Sequence, residues 1–218
     1  MTTSVTTTER IRDSLDSVHG QLRRSGTWWD AQQLGAIARR ARDGFDQRSV
    51  PPWSRELPDE VEGLPAAAVT VIDKIATDPG SVDRAWASEQ VAALGDGPYV
   101  ELVGLTAVTV IMHMYAACAG EALDPLGPPV DEPGEPSRER PDGMGDIGAY
   151  VPMTDPFDFA NVSRALSLVP SANLAFYTLV RPMYSEAGFE NLVWETPLSR
   201  PQVELVASRV AALNECFY

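Results

Sequence analysis

The chain has 218 residues, 44% of them hydrophobic, which is long and apolar enough for one large domain or two small ones and excludes wholesale disorder. Its net charge is −14, and residues 1–60 hold nine Arg against nine Asp and Glu, so the excess acid lies beyond residue 60. An acidic chain without a basic cluster is unsuited to nucleic acid and to anionic membrane surfaces, and neither is expected as a partner. The two cysteines, Cys118 and Cys216, make no disulfide framework, and the N-terminal "MTTSVTTTERIRDS" lacks the apolar stretch of a signal peptide. The expected setting is reducing and cytoplasmic.

Helical periodicity runs through the first half of the chain. In "TTTERIRDSLDSVHGQL", Thr6 and Glu9 stand at capping-box spacing, and Ile11, Leu15, Val18 and Leu22 form an apolar stripe. "DAQQLGAIARRARDGF" repeats the pattern with Ala31, Leu34, Ile37, Ala38, Ala41 and Phe45. "PAAAVTVIDKIATDPG" places Pro65 near a helix start and Asp-Pro-Gly at its stop, and Ser81 is a plausible N-cap for "VDRAWASEQVAALG", which closes at Gly95. A long helix is expected from about Tyr99 to Leu123. Its segment "LVGLTAVTVIMHMYAACAG" has no charged residue, with Glu101 and Glu121 at either end. Two Thr, a His and two Gly within it favour a fully buried core helix over a membrane span. No run alternates with period two, so no strands are expected.

At Asp124 the composition changes, with eight of the eighteen prolines falling in residues 124–158. Proline lacks an amide donor and restricts its predecessor, so this stretch is a linker or a long ordered arm crossing another surface. Helical signals resume in "NVSRALSLV", "PSANLAFYTLVRPMYSEAG" and "SRPQVELVASRVAALNE". In the last of these Ser199 and Gln202 fit a capping box, and Val203, Val206, Ala207, Val210 and Leu213 form the expected buried stripe. The expected division is 1–123, 124–158 and 159–218. The last part supplies little core alone, so it is expected to pack on the first part or on another chain.

Glu204 stands twelve residues before Cys216, in the pattern Glu-x-x-x-x-Arg-x-x-x-Leu-Asn-x-Cys. This resembles the core motif of the alkylhydroperoxidase D and carboxymuconolactone decarboxylase superfamily. There a Glu precedes a Cys-x-x-Cys pair by the same interval, and a His follows four residues after the second cysteine. Residues 66–125, with a helix, the "DPGSV" turn, a short helix and a long apolar helix after "YVEL", are similar to the half that follows the motif in such domains. The resemblance implies an all-α helical bundle, homo-oligomeric assembly, and hydroperoxide reduction by a cysteine pair served by a thiol-reductant protein, with no cofactor and no metal. It makes Cys216 and Glu204 the catalytic candidates.

Shifting the chain by 169 residues lays the second helix over the last, matching Gln33 with Gln202, Ala38 with Ala207 and Arg40 with Arg209. Gly35 then falls at the position of Glu204 and Gln47 at that of Cys216, so a tandem repeat with a chemically dead first copy is expected. The second cysteine would come immediately after Tyr218 and the His four residues later, and residues 1–218 hold neither. The second copy is therefore expected to be incomplete, with slow one-way oxidation of Cys216 the most this chain does. Other readings stay open: Cys216 as a packed semi-buried residue, Glu204 as a surface residue, and the whole as a non-enzymatic helical oligomerisation module. His113 reads as a satisfied core or interface residue, His19 as an exposed one, and Trp28, Trp29, Trp53, Trp86 and Trp194 as packing anchors.

Overall fold

A computed structural model of the chain describes residues 8–121, 126–158, 161–184 and 198–213. The described residues form an all-α protein of seven helices: α1 (Glu9–Leu22), α2 (Ala31–Asp46), α3 (Ala66–Thr77), α4 (Arg84–Leu94), α5 (Asp96–Ala119), α6 (Pro170–Tyr184) and α7 (Arg200–Leu213). Short 3-10 turns and one antiparallel pair, β1 (Met144–Gly145) with β2 (Met153–Thr154), complete them. That pair departs from the expectation of no strands; two residues per strand leave no room for an alternating pattern to show in sequence.

Short-range chemistry sets the helix starts. The first helix is capped by Thr8, whose hydroxyl accepts from the Ile11 amide, and not by Thr6, which lies outside the described residues. At α2 the Asp30 carboxylate accepts from Gln33 N at 2.9 Å while the Gln33 side chain accepts from Asp30 N at 3.0 Å, a closed capping box. At α4 the cap is Asp83, which accepts from Trp86 N, and not Ser81. Gly95, at φ +89°, ends α4 and opens α5, so α5 begins at Asp96 instead of Tyr99. At its far end Gly120 adopts the left-handed conformation and caps the helix after Ala119, while Leu123, its expected end, lies outside the described residues.

The apolar stripes of α1 and α2 face one core. Val18, Leu22, Leu34, Ile37 and Ala41 are buried with Val71 and Ile72 of α3, Ala87 of α4, and Leu102, Leu105, Val108 and Met112 of α5. Helix α5 packs against α2, α3, α4 and α6 and is the centre of the bundle. It is long and apolar enough to cross a bilayer by length and composition. Full burial is not what it has: Met114 is 49% exposed and Cys118 is exposed. At 24 residues α5 outruns α2 and α3, so its last turns pass beyond the helices that cover it.

Residues on both sides of the proline-rich stretch share this core. Helix α6 lies on α1 and α5, contributing Ala172, Ala175 and Leu179 to the same buried cluster, with Leu168 and Val169 just before it. Residues 126–158 run as an arm over the α1–α2 loop. The Val130 amide donates to Arg23 O, Ser25 N donates to Pro133 O, and Arg138 N donates to Thr27 O at 2.8 Å. Prolines cost the arm donors but not acceptors, and its carbonyls take what the loop offers. Arg140 then clamps Asp96 at the start of α5 with two bonds of 2.7 and 2.8 Å, holding the Asp96 carboxyl below its ordinary range.

Candidate functional site

Helix α7 carries the first of the two residues that the motif points to. Its start is fixed by Ser199 and Gln202: Gln202 Oε1 accepts from Ser199 N at 2.8 Å and from Ser199 Oγ at 2.9 Å. The α7 cap therefore repeats, 169 residues on, the back-bond that Gln33 makes at Asp30 N. Glu204 sits half-buried in the second turn, where its carboxylate accepts from the Tyr184 hydroxyl at 3.1 Å. Burial and then this bond push the Tyr184 hydroxyl above its ordinary pKa. Arg200, one turn back, stands 3.6 Å from the other Glu204 oxygen. Cys216 lies outside the described residues.

The face that α7 turns inward is only in part the expected one. Val203, Glu204, Ala207 and Ala211 are half-buried, whereas Val206, Val210 and Leu213 are exposed. Both rows have helical spacing, and sequence alone does not choose between them. Inward rotation of the 203–207–211 row is what brings Glu204 to Tyr184. The same rotation leaves Val206, Val210 and Leu213 exposed on the other face.

One buried acid, treated in sequence as a flank of the apolar helix, takes a different place in the fold. Glu101 is 2% exposed and lies on the same stripe of α5 as Leu105, Val108 and Met112. Its Oε1 accepts from Thr27 N at 2.8 Å and its Oε2 from Trp28 N at 2.6 Å. Gly26 belongs to the same arrangement, since a Cβ there would come within 2.1 Å of Glu101 Oε1. Desolvation raises the Glu101 carboxyl above its ordinary pKa, and the backbone amides pull the other way. A cleft of about 270 Å³ opens beside it, walled mainly by apolar residues of α1, α5 and α6 with Arg24 and Ser171 on its edge. Because both carboxylate oxygens are already occupied by amides, Glu101 serves as an anchor for the α1–α2 loop and not as a free general base. The sequence signal was available: counting back from Met112 at intervals of four, three and four reaches Glu101.

The two histidines also sit differently from the sequence reading. His19 is half-buried, and it lines a small cavity together with His113 of α5. His113 donates from Nε2 to Asp46 Oδ1 at 2.7 Å and stands edge-on to Phe45. Asp46, the partner of His113, lies 67 residues away on another helix, so spacing along the chain carried no sign of the pairing.

The class defined by these residues is a helical bundle with a carboxylate-bearing C-terminal helix. No protein-family model, curated protein or solved structure matches the chain.

Proposed function

We propose that the chain is an alkylhydroperoxidase D-like, carboxymuconolactone decarboxylase-like helical protein, by resemblance a thiol-dependent hydroperoxide reductase acting in the cytoplasm as a homo-oligomer. The observation that carries the proposal is the Glu204–Cys216 interval in the sequence, with Glu204 on a helix whose start shares the glutamine back-bond of α2, as a tandem copy would. The all-α fold and the inward placement of Glu204 against Tyr184 support it. In this reading residues 1–123 are the degenerate copy, and residues 159–218 begin the second.

The chemistry assigned to the site is a two-electron oxidation of sulfur. The Cys216 thiolate attacks one peroxide oxygen; the O–O bond breaks, an S–O bond forms, and the alkoxide leaves and takes a proton. A second thiol then attacks the sulfenic acid, expelling water and forming a disulfide, which a dithiol reductant reopens. Along a straight helix Glu204 and Cys216 would be about 18 Å apart, so Glu204 acts on the proton through water or another side chain. Residues 1–218 contain Cys216 without the second cysteine of the motif. The expected outcome with excess hydroperoxide is a single stoichiometric oxidation at Cys216, trapped as a sulfenic acid adduct by dimedone and absent in Cys216→Ser. Cys118→Ser is expected to leave it unchanged. Equal labelling and peroxide loss in the chain and in Cys216→Ser would end the redox reading.

A second reading, a non-enzymatic helical oligomerisation module, is favoured by one feature: Leu205, Val206, Val210 and Leu213 of α7 are 52–71% exposed. Apolar side chains in a row on one helix mark an association surface. Light scattering on the chain is expected to show an assembly that Val206→Glu with Val210→Glu disperses. A monodisperse monomer at high concentration would exclude this reading and count against the homo-oligomer expected in the first.

A further inference from the structure

Each of helices α1 to α6 buries side chains in the bundle, and α7 buries none. Its inward row, Val203, Glu204, Ala207 and Ala211, is only half-buried, while Leu205, Val206 and Leu213 stay exposed. Docking of α7 therefore removes little apolar surface from water: two of the inward side chains are alanines and one is a carboxylate. Helix α6 is held quite differently, lying along α1 and α5 and burying Ala172, Ala175 and Leu179. Among the described residues α7 lies along no other helix in that way.

Nucleation makes short helices costly, and an isolated helix of 14 residues is marginal in water. The order of α7 therefore depends on what ties it down. Some ties are internal to it: Gln202 Oε1 accepts from Ser199 N, the Ser208 hydroxyl donates to Glu204 O at 2.7 Å, and Arg200 stands 3.6 Å from the Glu204 carboxylate. These support the helix wherever it lies. A tie of the other kind, from the bundle to α7, is the hydroxyl of Tyr184 at the end of α6, which donates to Glu204 Oε2 at 3.1 Å. Its acceptor is ionised, which makes it stronger than a bond between neutral groups.

We infer that α7 docks and undocks as a unit while the rest of the bundle stays folded, with the Tyr184–Glu204 hydrogen bond as its latch. Local opening of this kind falls on elements that bury few apolar side chains and whose departure leaves the core whole. The buried core cluster draws residues from α1 to α6 and none from α7, so undocking disturbs none of its packing. It does carry Glu204 away from Tyr184, so the arrangement around this carboxylate exists only in the docked state. The inference stands on the geometry of α6 and α7 and does not depend on the redox reading. Where that reading holds, the latch sets how often the Glu204 carboxylate is in place.

The test is hydrogen–deuterium exchange of the whole chain, read by mass spectrometry on peptides from α7 and, for comparison, from α2 and α5. Amides of α7 are expected to exchange at least about a hundredfold faster than those in the middle of α5, yet more slowly than in an unstructured peptide of the same sequence. Tyr184→Phe, which removes only the hydroxyl, is expected to speed exchange in α7 about tenfold and to leave α2 and α5 unchanged. In a Glu204→Ala background the same substitution is expected to add about twofold or less, because the acceptor is already gone. Protection in α7 equal to that in α5 would overturn the inference, since α7 would then open only with the whole bundle. Exchange at the free-peptide rate would overturn it from the other side, by leaving no docked state to latch. Tyr184→Phe would also overturn it by leaving α7 unchanged, by speeding α2 and α5 as much, or by acting undiminished without Glu204.

Discussion

Replacement of Glu101 by alanine is expected to lower the unfolding free energy by about 3 kcal/mol, a drop of roughly 10 °C in melting temperature for a chain of this length. The deletion leaves the Thr27 and Trp28 amides without the oxygens that receive them at 2.8 and 2.6 Å, in a place that is 2% exposed. It also frees the Gly26–Trp29 turn, on which α2 is aimed and against which Arg138 of the arm is bonded. Glu101→Gln separates the electrostatic part from the steric part. The carboxamide keeps one acceptor but sets its NH₂ against a backbone N–H, so it too is destabilising, by about 2 kcal/mol. Its pH dependence is the sharper readout. The folded carboxyl is raised above its ordinary 4.5 by desolvation, so the protonated form is the one folding favours. That contribution is complete below the unfolded pKa and is lost as pH climbs through the raised folded value. Stability of the parent should therefore fall through this window relative to Glu101→Gln, and the gap between them should narrow. Asp78 and Asp96, both held below their ordinary range by their partners, give the opposite slope, but they are common to both proteins and cancel in the difference. A gap that widens with rising pH, measured by urea unfolding, would refute the assignment.

What the residues announced and what they concealed divide along the range of the interactions. The apolar stripe of α2 was legible: Ala31, Leu34, Ile37, Ala38, Ala41 and Phe45 are all buried, because helical period alone sets that face. The boundaries of α5 were less so, because Gly95 both ends α4 and begins α5, a double duty that propensity does not register. Pro98 falls in the first turn of α5, where no amide hydrogen is needed, so it does not mark the start. Glu101 was read as the charged edge of an apolar run, and only the loop packed against it, 73 residues earlier, makes its burial intelligible. The inward face of α7 was legible only at Val203 and Ala207, for a related reason. Two apolar rows have equal spacing there, and the choice is made by Tyr184, a residue of another helix. Of the candidate site, the position and cap of Glu204 were legible, and its hydrogen-bond partner was not. Cys216, the other half, lies outside the described residues.

Arg40→Ala is expected to cost about 3 kcal/mol, while the matching change in α7, Arg209→Ala, stays within about 0.5 kcal/mol. The 169-residue offset pairs these two arginines, yet their surroundings differ. Arg40 is 6% exposed and joins α2 to α3 through two bonds to the Asp73 carboxylate, at 2.6 and 2.7 Å. Its remaining arm donates to Pro58 O at 2.7 Å, tying down the loop between the helices. The Asp73 bond, outweighing the cost of burial, raises the Arg40 pKa still further, so the group stays charged at every working pH. Removing it strands a carbonyl and a carboxylate; Asp73 remains 32% exposed, so water offsets part of the loss and keeps the figure below that of a wholly buried pair. Arg40→Lys is expected to cost about half as much, because a single ammonium does not reproduce a planar fork that meets two oxygens of Asp73 and a third on Pro58. A double-mutant cycle with Asp73→Ala should return a coupling of about 2 kcal/mol. Arg209 is exposed and has no ion pair among the described residues, so its loss removes only solvated charge. Equal destabilisation at the two positions would mean that α7 is held by a buried ion pair of the kind that fixes α2, and the contrast drawn between the two helices would fall.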